Sequence, residues 1–175
     1  MFKEEIILKL LNHHESFVQY ISGLSGEDFM YARPGKWSAG QQADHIYRSL
    51  QPLSRVMGFP KTIMRLVFGK SNRPSKDYET LIEKYKTKLA AGGRASGRFV
   101  PGPVPLDQRN RLNEKIMRTA NAIGRKINRF SEDQLDHYIL PHPLLGRVTL
   151  REMLYFTIYH VQHHKKLIEE SRSMV

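Results

Sequence analysis

Apolar side chains recur at three- and four-residue spacing in four long stretches of this chain, the period that lines one face of an α-helix. In the first stretch the stripe is Ile6, Ile7, Leu10, Leu11, Phe17, Val18 and Ile21, and Gly23 with Ser25-Gly26 ends it. The second follows the Pro34-Gly35 turn, takes Ser38 as its N-cap and runs through Ala43, Ile46, Tyr47, Leu50 and Leu53 towards Gly58. Pro52 is expected to bend this helix or end it early, because it lacks the N–H that the helix needs there. A third begins at Leu106-Asp107 and carries Leu112, Ile116, Ala120, Ile123 and Ile127. The fourth follows Thr149, which with Glu152 three residues later matches a capping box, and continues past His164.

The intervening segments read differently. Residues 59–105 are rich in proline and glycine and predict an irregular crossover between helices two and three, with short helices over Lys61–Phe68 and Asp77–Leu89. Its basic, glycine-rich Gly92–Arg98 part is expected to be mobile. Phe130–Leu135 suggests a capped turn, and Tyr138–Thr149 is a connector punctuated by proline and glycine. Strand-like alternation is nearly absent and no repeat of 20–50 residues is visible. The expectation is an all-α four-helix bundle with a long second connection, forming one domain over residues 1–175, whose core can host a metal between facing helices.

Composition narrows the chemistry. A chain of 175 residues, 40% hydrophobic and 26% charged, is long enough for one well-filled core. It has no cysteine, which excludes disulfides, cysteine-based zinc motifs, iron–sulfur clusters and a cysteine nucleophile, so any metal must be held by nitrogen and oxygen. The first residues mix charges instead of forming a secretory signal. The most apolar stretch, Leu150–Ile158, is broken by Arg151 and Glu152. A cytoplasmic protein without a membrane partner is expected. The net charge of +11 raises the question of an anionic partner. However, Arg109, Arg111, Lys115, Arg118, Arg125, Lys126 and Arg129 wrap around helix three without interleaved aromatics, which fits a solvated polar face better than a nucleic-acid footprint.

The candidate chemistry lies in Tyr159-His160-Val161-Gln162-His163-His164. On an ideal helix His164 lies about 40° round from His160, while His163 lies about 60° away on the other side. The stripe Leu150, Met153, Leu154, Thr157, Val161 and Ile168 centres on the His164 side, so His160 and His164 should face the bundle interior and His163 its margin. His45, on the second turn of helix two, is a candidate third partner. A protonated pair one turn apart repels, and buried neutral imidazoles need partners, so a shared cation accounts for the placement. Hydrogen-bonded core histidines account for the spacing equally well. His13, His14, His137 and His142 are read as structural. Three histidine ligands would leave an open coordination position, the mark of a catalytic site.

The motifs together, in order and spacing, resemble the DinB/YfiT-like family of metalloenzymes, part of the DinB-like four-helix-bundle superfamily. They are Gly35-Lys36-Trp37-Ser38 followed by His45, then His142-Pro143-Leu144-Leu145-Gly146, then Thr149-Leu150-Arg151-Glu152-Met153-Leu154, and finally His160-Val161-Gln162-His163-His164. The resemblance implies a four-helix bundle with a divalent metal, zinc, nickel, iron or manganese, held at His45, His160 and His164. It also implies either a transferase using low-molecular-weight thiols or a metal-dependent hydrolase. The chain departs from the pattern in its basic crossover and in Lys165-Lys166 after His164.

An open position on such an ion can lower the pKa of bound water from 15.7 to about 7, or hold a thiol as thiolate. No carboxylate is expected on the inward side of helix four, with Glu152 at its edge and Glu169 far off, and this weighs against hydrolysis. Gln41 and Arg48, one turn either side of His45, are candidates to orient it or to touch substrate, with capping and surface ion pairing as the alternatives. Trp37 is read as a packing anchor. The leading expectation is a metal-dependent S-transferase acting with a low-molecular-weight thiol on a small electrophilic or anionic molecule, with a hydrolase as alternative. A non-enzymatic basic binding protein is the rival from another class. The divalent ion is the one cofactor expected, sequence-specific nucleic-acid binding is not, and a homodimer is a candidate assembly.

Overall fold

The computed structural model describes residues 1–172. Its elements are α1 (Lys3–Ser22), α2 (Gly26–Met30), α3 (Ala39–Val56), α4 (Lys61–Phe68), α5 (Tyr78–Ala90), α6 (Arg109–Ile127), α7 (Glu132–His137), β1 (Ile139–His142), β2 (Gly146–Thr149) and α8 (Leu150–Arg172). The four long helices α1, α3, α6 and α8 make an all-α bundle in which α1 and α3 each pack against both α6 and α8. Their stripes interlock: Ile6, Leu10, Phe17 and Ile21 meet Ile46, Leu50, Ile116, Ile123, Leu154 and Ile158 in one buried core. Burying each such side chain contributes about 1.5–3 kcal/mol, so apolar packing holds the bundle together.

Local signals set the ends of α3. The Ser38 hydroxyl accepts the Gln41 backbone N–H at 3.2 Å, and the Gln41 side-chain oxygen accepts the Ser38 N–H at 3.0 Å, a reciprocal cap. Pro52 does not end the helix, which runs on to Val56 with Leu53 and Ser54 buried. Tertiary packing there outweighs the one backbone hydrogen bond that the proline removes.

In the connector before α8 the structure departs from the sequence expectation. Ile139–His142 and Gly146–Thr149 pair as an antiparallel hairpin, with Ile139 opposite Thr149 and His142 opposite Gly146. Strands of four residues, one containing Pro141, are too short and too interrupted to show an alternating pattern. Gly146 has φ +76°, a conformation that favours glycine.

Two further features concern the crossover and the start of α8. Within the crossover, Gly93–Ser96 and Arg98–Val100 form part of a cavity wall, with a 3-10 turn at Gly97–Phe99. Glu152 does complete the cap with Thr149, accepting its N–H at 2.9 Å, but it is fully buried and not at an edge. Its carboxylate also accepts two bonds from the Arg73 guanidinium, at 2.6 and 2.8 Å, and the Lys76 N–H at 2.8 Å. Burial pushes this carboxyl up, yet Arg73 and the two N–H groups outweigh it and hold it below its ordinary range. Beside it Arg151 bonds Glu132 and Asp136, so the start of α8 is tied to the crossover and to α7 by ion pairs. Among the described residues no helix is long and apolar enough to cross a membrane.

Candidate metal centre

His45 comes from the second turn of α3, and His160 and His164 are one turn apart on α8. All three are buried. The His160 Nε2 lies 3.2 Å from the His45 Nε2 and 3.0 Å from the His164 Nε2, and the three candidate ligand atoms all fall within 4.8 Å of one another. Among the described residues this is the one His, Cys, Asp and Glu cluster that could hold a metal ion.

The far sides of two rings determine which nitrogen faces the cluster. The His45 Nδ1 is 2.7 Å from the Phe99 carbonyl oxygen, which can only accept, so Nδ1 carries the proton and the Nε2 lone pair points inward. His164 Nδ1 donates in the same way to the Gln42 side-chain oxygen. Partners of this type orient metal-binding imidazoles and make them better donors. Burial holds the pKa of His160 and His164 well below the usual histidine value, and the neighbouring imidazoles lower it further. Burial also lowers His45, with the Phe99 carbonyl opposing. The cluster is therefore neutral near pH 7 and able to accept a cation. Aromatic rings fix it from outside: Trp37 lies 5.0 Å from His45 and stacks near His164, and Phe156 stacks on His160 at 4.6 Å.

The other candidates have structural placements. Gln41 is taken up by the α3 cap. Arg48 pairs with Asp44 at 2.6 Å and donates to the Arg98 carbonyl at 3.1 Å, which braces the turn that presents the Phe99 oxygen to His45. The residue that reaches a ligand is Gln42, which the sequence reading passed over; its position three residues before His45 on the same helical face was the available signal. His163 stays half-buried at the margin, stacked on Tyr159. Buried His14 bonds the Leu10 carbonyl, and His13 lies against the Ile158 carbonyl. His137 pairs with Asp133 on α7.

The cluster opens on a cavity of about 560 Å³, lined by Trp37, Tyr85, Phe99, Leu144 and Phe156. That volume suits a small molecule. Lys36, Arg94 and Arg98 border it, whereas among the described residues no Asp or Glu lines it. Comparison with curated proteins finds no match. A family model, that of the DinB superfamily, matches residues 9–168, nearly the whole chain and all three clustered histidines. With a helical bundle and a buried three-histidine cluster between α3 and α8, this chain belongs to the DinB superfamily.

Proposed function

We propose that the chain is a divalent-metal-dependent enzyme, with His45, His160 and His164 as the ligands, and that it is a low-molecular-weight-thiol-dependent S-transferase. The observation that carries the metal assignment is the convergence of three Nε2 atoms, that of His160 lying 3.2 Å from His45 and 3.0 Å from His164, with two of the Nδ1 atoms committed to acceptor oxygens. Lone pairs gathered this closely favour a cation among them. Bound there, a zinc, nickel, iron or manganese ion would supply an open coordination position where a thiol is deprotonated or a water acidified.

The chain's own residues favour the thiol route. Among the described residues no carboxylate lines the cavity to manage the leaving-group proton of a hydrolysis. Thiol transfer asks mainly for a held thiolate and an oriented electrophile. Gln42 and the Phe99 carbonyl orient the rings, Trp37 and Phe156 keep water off them, and Lys36, Arg94 and Arg98 give the entrance a positive potential suited to an anionic small molecule. A hydrolase is the second reading.

Nucleic-acid binding is disfavoured because several cations on α6 and just after it serve the fold. Arg109 donates to the Leu24 carbonyl at 2.7 Å, Arg129 to the Met57 carbonyl at 3.0 Å and Lys126 to Ser54, while Lys115 lies over the Tyr47 ring. The test is elemental analysis and zinc titration of untagged protein, followed by assays pairing low-molecular-weight thiols with electrophiles. One equivalent of tightly held metal and thiol consumption are expected. No metal binding would overturn the assignment, and metal binding with ester or amide cleavage alone would select the hydrolase.

A further inference from the structure

His142 is the last residue of β1, and its ring turns back over the hairpin. Its Nδ1 accepts the backbone N–H groups of Leu144 and Leu145, both at 3.1 Å. Two donors converging on one ring nitrogen require a lone pair there, so the proton of the neutral imidazole sits on Nε2. The ring is 9% exposed, packs edge-on against Phe156 at 4.2 Å and lines the same cavity as the metal cluster. Phe156 in turn stacks on His160, which places His142 one aromatic ring away from the candidate ligands.

Among the described residues Nε2 of His142 has no hydrogen-bond partner, yet the one enclosed side-chain polar atom left without a partner is Oδ1 of Asn113. The His142 Nε2–H is therefore accessible, on a ring that lines the cavity. Burial pushes this imidazole down to about 4, so it stays neutral across the physiological range. Beside it Tyr85 is buried and its phenol pKa is raised, which keeps that hydroxyl protonated as well. The wall thus combines aromatic surface with neutral donors and, among the described residues, contains no carboxylate.

We propose that His142 is a fixed, neutral hydrogen-bond donor of the cavity, whose Nε2–H recognises an acceptor oxygen, carbonyl or carboxylate, on an otherwise apolar ligand. The apolar body lies against Tyr85, Leu144 and Phe156, and the oxygen is held at the hairpin end. The inference rests on reading this cavity as the substrate site, and the donor acts independently of the ion.

The test uses two probes of nearly equal shape, 2-acetylnaphthalene, which carries an acceptor oxygen, and 2-ethylnaphthalene, which does not. Both are titrated into the full chain, zinc-free and zinc-loaded. Wild type should prefer the acetyl probe by about tenfold in both forms, the value of one well-made hydrogen bond. His142→Asn separates the roles: its side-chain oxygen can take over the Leu144 and Leu145 N–H groups, whereas its amide NH2 stops short of the position from which the imidazole Nε2–H reaches the cavity. Its melting temperature and ethyl-probe affinity should match wild type while the preference falls to about one. As a check that needs no variant, nitrogen-15 NMR of wild type should show a bare Nδ1 and a protonated Nε2 whose resonance moves with the acetyl probe alone. Absence of preference in wild type, a failure of either probe to bind, a preference that survives His142→Asn, or a proton on Nδ1 overturns the proposal. A preference intact in protein that binds no zinc leaves the donor in place and removes the metal assignment instead.

Discussion

Gln42 on α3 accepts the Nδ1–H of His164 on α8, a bond made across the bundle between residues 122 apart in the chain. It selects the imidazole tautomer whose Nε2 joins the cluster, so the affinity of the site depends on a residue that does not belong to it. Gln42→Leu should weaken zinc binding by about 10–100-fold, the usual effect of removing such a partner. Competition against a chromophoric chelator measures it, and an unchanged affinity would show that packing alone orients the ring.

Replacing His45, His160 or His164 by Ala should abolish most metal binding and leave helix content close to wild type, because the core is apolar and does not need an ion. His163→Ala should keep the metal, since this ring stacks on Tyr159 outside the cluster. Circular dichroism and elemental analysis of the four variants test both halves. A metal-loaded crystal structure should place the three Nε2 atoms about 2.0–2.3 Å from one ion.

His14 gives the fold an acid sensitivity separate from the site. Burial in α1 lowers its pKa from 6.5 to about 4, and the bond to the Leu10 carbonyl opposes the shift only partly. A histidine depressed in the folded state favours the fold fully above its unfolded value, and that contribution is lost as pH falls from about 6.5 to about 4. The loss amounts to about 3 kcal/mol. Urea denaturation at pH 7 and pH 4.5 should show most of it in wild type and a flatter response in His14→Leu; equal slopes would place the acid sensitivity elsewhere.

Arg73→Met should destabilise the chain by about 2 kcal/mol. This lies below the 3–5 kcal/mol typical of breaking a buried pair, because Glu152 is fully buried but the Arg73 side chain is 36% exposed. Thermal melts of Arg73→Met, Glu152→Gln and the double variant test the coupling: losses that simply add would mean the pair is energetically independent.

Binding to nucleic acid should be weak, salt-sensitive and indifferent to sequence, because scattered cations give phosphate contacts without base readout. Titration of labelled duplex and single strands at two salt concentrations measures this. Submicromolar, sequence-selective binding at physiological salt would restore the rival reading.

The sequence by itself determined what depends on short separations. The 3.6-residue stripes specify α1, α3, α6 and α8. Ser38 and Thr149 mark starts that their reciprocal hydrogen bonds realise, and the four-residue step from His160 to His164 puts both rings on one side. Only the tertiary structure decided the partners that reach across the chain. The Phe99 carbonyl, 54 residues from His45, lies in an irregular segment whose path no local period encodes, and Arg73 meets Glu152 over 79 residues. The hairpin that turns His142 towards the cavity is likewise too short for a pattern and exists because two strands of four residues pair. Helices and caps arise from interactions within a few residues, whereas the tautomers, the burial of Glu152 and the walls of the cavity arise when distant segments close on one another, where local sequence carries no signal.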